Sequence, residues 1–138
     1  MGAKTLDDAR VPIRFRLSAL WASVMFCFIY ADFFGLFMPG RIMTMNAGKI
    51  GPLGAATPPI LLAVSVMMAI PSTMVALSLL LSPALCRWAN IVVALLNIAI
   101  MVLTSLGAPP FYVFFAAVEI AMMLAIIFHA AKWPRVAI

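Results

Sequence analysis

Four apolar runs of about twenty residues, none containing Lys or Arg, divide this chain, and prolines or glycines stand at nearly every boundary between them. The runs are Leu17 to Met38, Ile60 to Ser82, Trp88 to Leu106 and Phe111 to Ala131. A helix of about 20 residues is roughly 30 Å long, which matches the hydrocarbon core of a bilayer. Hydrophobic residues make up 67% of the chain and charged residues 9%. A soluble domain carries about 25% charged residues, so an ordinary water-soluble fold is excluded, and so is disorder. The expectation is an all-α protein, a membrane-spanning antiparallel four-helix bundle. Residues 1–16 form a cytoplasmic tail and 17–138 a single transmembrane domain. Its spans are 17–38, 60–82, 88–106 and 111–131, with an outer loop over 39–59.

The first run is too long for the h-region of a secretory signal, which spans about 7–15 residues, so it is read as a retained span. Leu6 removes the myristoylation context of Gly2. Pro39-Gly40 ends the first helix, and Pro58-Pro59 stands where a helix start tolerates a missing N–H. In the loop, Ile42, Met43 and Met45 are expected to lie along the interface. Pro71 falls inside the second run, where it removes the bond to the Met67 carbonyl and kinks the helix; it is the candidate hinge. Ser72 and Thr73 are expected to help satisfy the broken ladder. Residues 83–87 read as a tight turn, and Gly107-Ala108-Pro109-Pro110 as another. Ser65, Ala69, Ser72 and Ala76 are the expected close-packing face of the second span. Trp88 and Trp133 sit where interfacial anchors belong.

Basic residues are distributed unequally. Lys4, Arg10, Arg14, Arg16, Arg87, Lys132 and Arg135 fall on one side of the expected topology, and only Arg41 and Lys49 on the other. The positive-inside rule then puts both termini in the cytoplasm, in a multi-pass protein of the bacterial inner membrane.

Three polar residues fall inside the spans at similar depth. Asp32 lies roughly 9 Å, Glu119 roughly 12 Å and Asn97 roughly 14 Å from the outer boundary. An ionisable group at such a position is a candidate functional site. With no intramembrane Lys or Arg to pair with, the two carboxyls must keep a proton, share one, or hold a cation or water. Asp32, Asn97 and Glu119 are therefore the expected site, with Asn97 donating its amide to a carboxylate. Accessory candidates are Arg41, which can fold back to neutralise Asp32, and Asn90 and Thr104, seven residues either side of Asn97. His129 is a fourth, on the line Glu119, Met122, Ile126, His129, near enough to the inner boundary to reach headgroups.

No catalytic or phosphate-binding motif is present, nothing points to nucleic acid, and neither a metal set nor a cofactor is expected. Cys27 and Cys86 read as packed free thiols, and the methionines as gap fillers. Three functions stay open. One is an inner-membrane protein with an acidic polar site. Another is a proton- or cation-coupled small-molecule transporter, which needs a homo-oligomer, most simply a homodimer, to enclose a path. The third is a structural or lipid-binding subunit, with the bilayer as partner.

The stretches LSALWASVMFCFIYADFFGLFMPG (17–40) and MMAIPSTMVALSLLLSPALCRWANIVVALLN (67–97), with Pro110, Tyr112 and Glu119 beyond, carry a likeness. Together they resemble a family of small, uncharacterised bacterial four-helix integral membrane proteins, which implies four spans and the inner membrane but no activity. More loosely the chain is similar to small multidrug-resistance transporters. Those keep their essential Glu in the first span, whereas here the first span holds Asp32 and the Glu is in the fourth.

The charge asymmetry generates a direct expectation. In Ala3→Cys and Ala137→Cys variants, a membrane-impermeant maleimide should leave both termini unlabelled in intact cells, while Asn46→Cys in the loop reacts. External labelling of either terminus would overturn the topology.

Overall fold

The computed structural model describes residues 9–134, so Lys4, Asp7, Asp8 and Arg135 lie outside the described residues. The chain forms α1 (Ile13–Gly35), α2 (Arg41–Asn46), β1 (Lys49–Ile50), β2 (Gly54–Ala55), α3 (Pro58–Leu80), α4 (Pro83–Ser105) and α5 (Pro110–Ala131). The fold is all-α in its main elements. Helices α1, α3, α4 and α5 are each long and apolar enough to cross a membrane.

Helix boundaries follow local chemistry. Helices α3, α4 and α5 all open on a proline, behind Thr57, Ser82 and Pro109 in extended conformation. A proline in the first turn lacks only an N–H that would have had no partner. This corrects the expected turn at 83–87: those residues are the first turn of α4, and the connection is only Leu81 and Ser82. Helix α1 starts at Ile13 rather than Leu17, and Arg14 donates to the Leu79 carbonyl at 2.9 Å, capping the end of α3. It stops at Gly35 rather than Met38. Leu36, Phe37 and Met38 instead make bonds three residues back, and Pro39 bars helical backbone at the residue before it. Gly40 and Gly107 take positive φ, which only glycine adopts freely, and turn the chain after α1 and α4. The 39–59 segment is more ordered than a loop with one turn. It holds α2 and a two-residue hairpin pairing Lys49 with Ala55 and Ile50 with Gly54.

Helix α1 packs on α3 and α5, and α4 packs on the same two helices. Contacts pair the start of α1 with the end of α3: Arg14 with Leu79, Ser18 with Val75 and Met25 with Ser72. The buried residues recur every three or four positions. They are Leu17, Trp21, Val24, Phe28 and Ala31 on α1, Cys86, Asn90, Ala94, Asn97 and Met101 on α4, and Ala116, Glu119, Met123, Ile126 and Ala130 on α5. On α3 they are Pro71, Met74 and Ser78. The expected face of α3 is thereby corrected, since Ser65, Ala69, Ser72 and Ala76 are all exposed. The hydroxyls of Ser65 and Ser72 bond the Leu61 and Met68 carbonyls of their own helix, so they need no neighbour. Thr73 bonds the Ile70 carbonyl, and neither Ser72 nor Thr73 takes up the Met67 carbonyl that Pro71 leaves free. Large apolar side chains such as Phe26, Ile29, Leu62, Leu103 and Phe114 face outward. Soluble monomers rarely show apolar surface on that scale, and the arrangement is compatible with a multi-pass membrane protein.

Asn90 joins three of the long helices. The Trp21 indole N–H donates to its Oδ1 at 2.7 Å and the Ser78 hydroxyl to the same atom at 3.2 Å. Its own amide donates to the Cys86 carbonyl at 2.8 Å, and the Cys86 thiol donates to the Ser78 carbonyl at 3.2 Å. Asn90→Ala should cost about 2 kcal/mol, because it leaves two buried donors without an acceptor. Trp21→Phe should cost less, since it removes one of those donors along with its bond. Reversible unfolding in detergent measures both. An unchanged midpoint for Asn90→Ala would remove the node from the core.

Candidate functional site

Three helices bring the expected residues to one space. Asp32 comes from the last turns of α1, Asn97 from the middle of α4 and Glu119 from the first half of α5. With Phe28, Met67, Met68, Met101 and Tyr112 among its other walls, they line a cavity of ≈ 90 Å³, room for a few water molecules. Toward the loop a second cavity of ≈ 480 Å³ shares Ala31, Asp32, Thr104 and Tyr112 with the first and adds Arg41, Pro52 and Phe111. The Tyr112 hydroxyl and Thr104 Oγ1, 3.5 Å apart, stand where the two spaces meet.

The two carboxyls differ in setting. Asp32 is exposed at the junction of the cavities. Glu119 is fully buried, and neither of its carboxyl oxygens has a hydrogen-bond partner. Buried polar groups are almost always paired, so an orphan carboxyl beside a cavity calls for an occupant or a function. No Lys or Arg lines the inner cavity. Among the described residues no three His, Cys, Asp or Glu side chains are grouped to hold a metal ion.

Several expected roles change. Asn97 does not donate to a carboxylate; its amide bonds the Val93 carbonyl of its own helix at 2.8 Å. An asparagine inside a helix always has that acceptor one turn back, and the bond turns its amide along the helix. Arg41 shares the outer wall with Asp32, but no ion pair closer than 4.0 Å joins them. Asn90 is committed to Trp21 and Ser78 and lines neither cavity. Thr104 lies at the mouth, exposed. His129 is half-buried at the far end of α5 against Phe128, outside both cavities. The buried line on α5 runs through Met123 and Ala130, one position round from the expected Met122 and His129, and small Ala130 lets a neighbouring helix approach. Pro71 is buried one turn beyond Met67 and lines neither cavity.

Sequence reasoning missed two participants. Trp21 carried no charge or motif to mark it, although a buried indole N–H regularly seeks an acceptor. Tyr112 stands in the sequence only among the residues that carry the family likeness. Its position two residues into α5, with Thr104 just before the α4–α5 turn, was the available signal for a pair across that turn.

Removing an unpartnered carboxyl should not weaken the fold. Glu119→Gln is expected to leave the unfolding midpoint in detergent unchanged or raised, since no protein contact to the carboxyl is lost. A fall of several degrees would mean that the carboxyl is held by a structural partner.

No curated protein and no solved structure matches the chain. A family model does match, over residues 7–138, and it is described as a family of unknown function, DUF6326. The chain, across nearly its whole length, belongs to that family.

Proposed function

We propose that this is a multi-pass protein of a bacterial inner membrane, an antiparallel four-helix bundle with both termini cytoplasmic, and that it binds a small ammonium-bearing solute from the loop side. Support for the membrane reading comes from four apolar helices with large apolar side chains directed outward. The described basic residues Arg14, Arg16, Arg87 and Lys132 gather at helix ends remote from the loop. There Arg14 and Arg87 reach the terminal carbonyls Leu79 and Ala131, at 2.9 and 3.4 Å. Cations at helix C-termini are favourable, and the same charges retain that end on the cytoplasmic side.

The observation that carries the binding reading is Glu119, completely buried and without a partner on either oxygen, at the floor of a cavity that continues toward the loop. A charged carboxylate there would be costly unless a cation met it. The walls offer carbonyl, hydroxyl and thioether groups but no competing Lys or Arg. An ammonium supplies both the charge and the donors that Glu119 lacks. The larger cavity adjoins this space on the loop side, which makes the loop side the route of entry in this reading.

The test is calorimetric titration of the purified protein in nanodiscs with methylammonium and ethylammonium. Glu119→Gln should weaken binding by about tenfold or more, as expected for loss of a charged hydrogen-bond partner. Asp32→Asn should have a smaller effect. Equal binding by the wild type and Glu119→Gln would refute the reading.

A further inference from the structure

The wider space above Glu119 is not walled by carboxyls alone. Arg41 from α2 and Asp32 from α1 both face it, yet their charged groups do not come within 4.0 Å of each other. An exposed pair of this kind gains little by closing, so the two charges remain available to a third party. Arg41 Nη1 lies 3.9 Å from the point a Cβ on Gly51 would occupy, and Gly51 takes φ +37°. The larger cavity therefore presents a cation and an anion, and a second carboxyl, Glu119, lines the inner cavity that adjoins it.

We propose that this vestibule binds a small zwitterion, its anionic end on the Arg41 guanidinium and its ammonium directed past Asp32 to Glu119. The inference rests on the ammonium-binding reading and names the ligand class for it. A volume of ≈ 480 Å³ is far more than a simple ammonium ion needs and lies within the range of small-molecule pockets, about 300–1,000 Å³. The planar guanidinium fork suits a phosphate or carboxylate group. Phe111 and Leu106 of the same wall offer apolar surface to a short carbon linker, and the Tyr112 and Thr104 hydroxyls stand where the two cavities meet. The shared chemistry is an ammonium joined to a phosphate or carboxylate by a short chain. It is found in free solutes such as O-phosphoethanolamine and in the headgroup of phosphatidylethanolamine.

Titration of the full chain in phosphatidylglycerol nanodiscs with ethanolamine and with O-phosphoethanolamine tests this. The zwitterion should bind about tenfold more tightly than the simple amine, the increment expected of one charged hydrogen-bonded contact. Arg41→Gln should erase that difference while leaving ethanolamine binding intact, and Arg41→Lys should restore part of it. Exchanging half the lipid for phosphatidylethanolamine separates the two sources. A rise in the apparent Kd for O-phosphoethanolamine identifies the headgroup as the occupant, and an unchanged Kd identifies the free solute. Equal affinity for both amines in the wild type, or a difference that survives Arg41→Gln, overturns the zwitterion while ethanolamine binding that depends on Glu119 keeps the underlying reading. Absence of binding by either amine overturns both.

Discussion

Asn90 is the point from which the interior is organised. Two donors from different helices, the Trp21 indole and the Ser78 hydroxyl, converge on one amide oxygen, and the amide nitrogen is taken by the Cys86 carbonyl. Apolar side chains that would be equally comfortable facing lipid or a neighbour specify rotation poorly, whereas a buried amide with directional partners specifies it well. Fixing Asn90 inward orients α4, and the residues seven and eleven positions further on, Asn97 and Met101, then fall on the same buried line. Trp21 does the same for α1 and carries Phe28 and Ala31 to the cavity wall.

Against that closed node the other half of the molecule is conspicuous for what it leaves open. Most polar side chains of the long helices bond a carbonyl of their own helix or meet a partner across an interface: Ser65, Ser72, Thr73, Asn97, Thr104 and Ser105 all do the former. Glu119 is too long and too acidic for that solution, because a carboxylate accepts and a helix face offers it no free N–H. Its isolation is therefore a property of residue type and position together. The cavity beside it exists because Ala31 is small and because flexible Met67, Met68 and Met101 line the space without filling it.

Much of this was readable in the amino-acid string. The four long helices follow from run length, and the common depth of Asp32, Asn97 and Glu119 follows from counting along those runs; all three do line one cavity. What depth cannot supply is rotation and pairing. The α3 face was assigned to Ser65, Ala69, Ser72 and Ala76 because small residues favour close approach, but hydroxyls bonded to their own helix can face outward at no loss, and Pro71, Met74 and Ser78 turn inward instead. Residues 83–87 looked like a turn because proline was read as a breaker, where at the first position of a helix it is a starter. Trp21 was invisible because its role depends on Asn90, 69 residues away, and no local pattern joins them.

The ordered loop gives the open half its sense. Here α2 begins at Arg41, the hairpin of β1 and β2 follows, and Gly51 lies against the guanidinium. Exposure leaves Arg41 and Asp32 unpaired at the cavity mouth, and burial leaves Glu119 unpaired at its floor. Such unresolved polar groups run against the consistency that stabilises a fold, and they persist where a site needs them. In the reading proposed here, a zwitterion meets Arg41 at the mouth with one end and reaches past Asp32 to Glu119 with the other. A bare ammonium leaves Arg41 unmet.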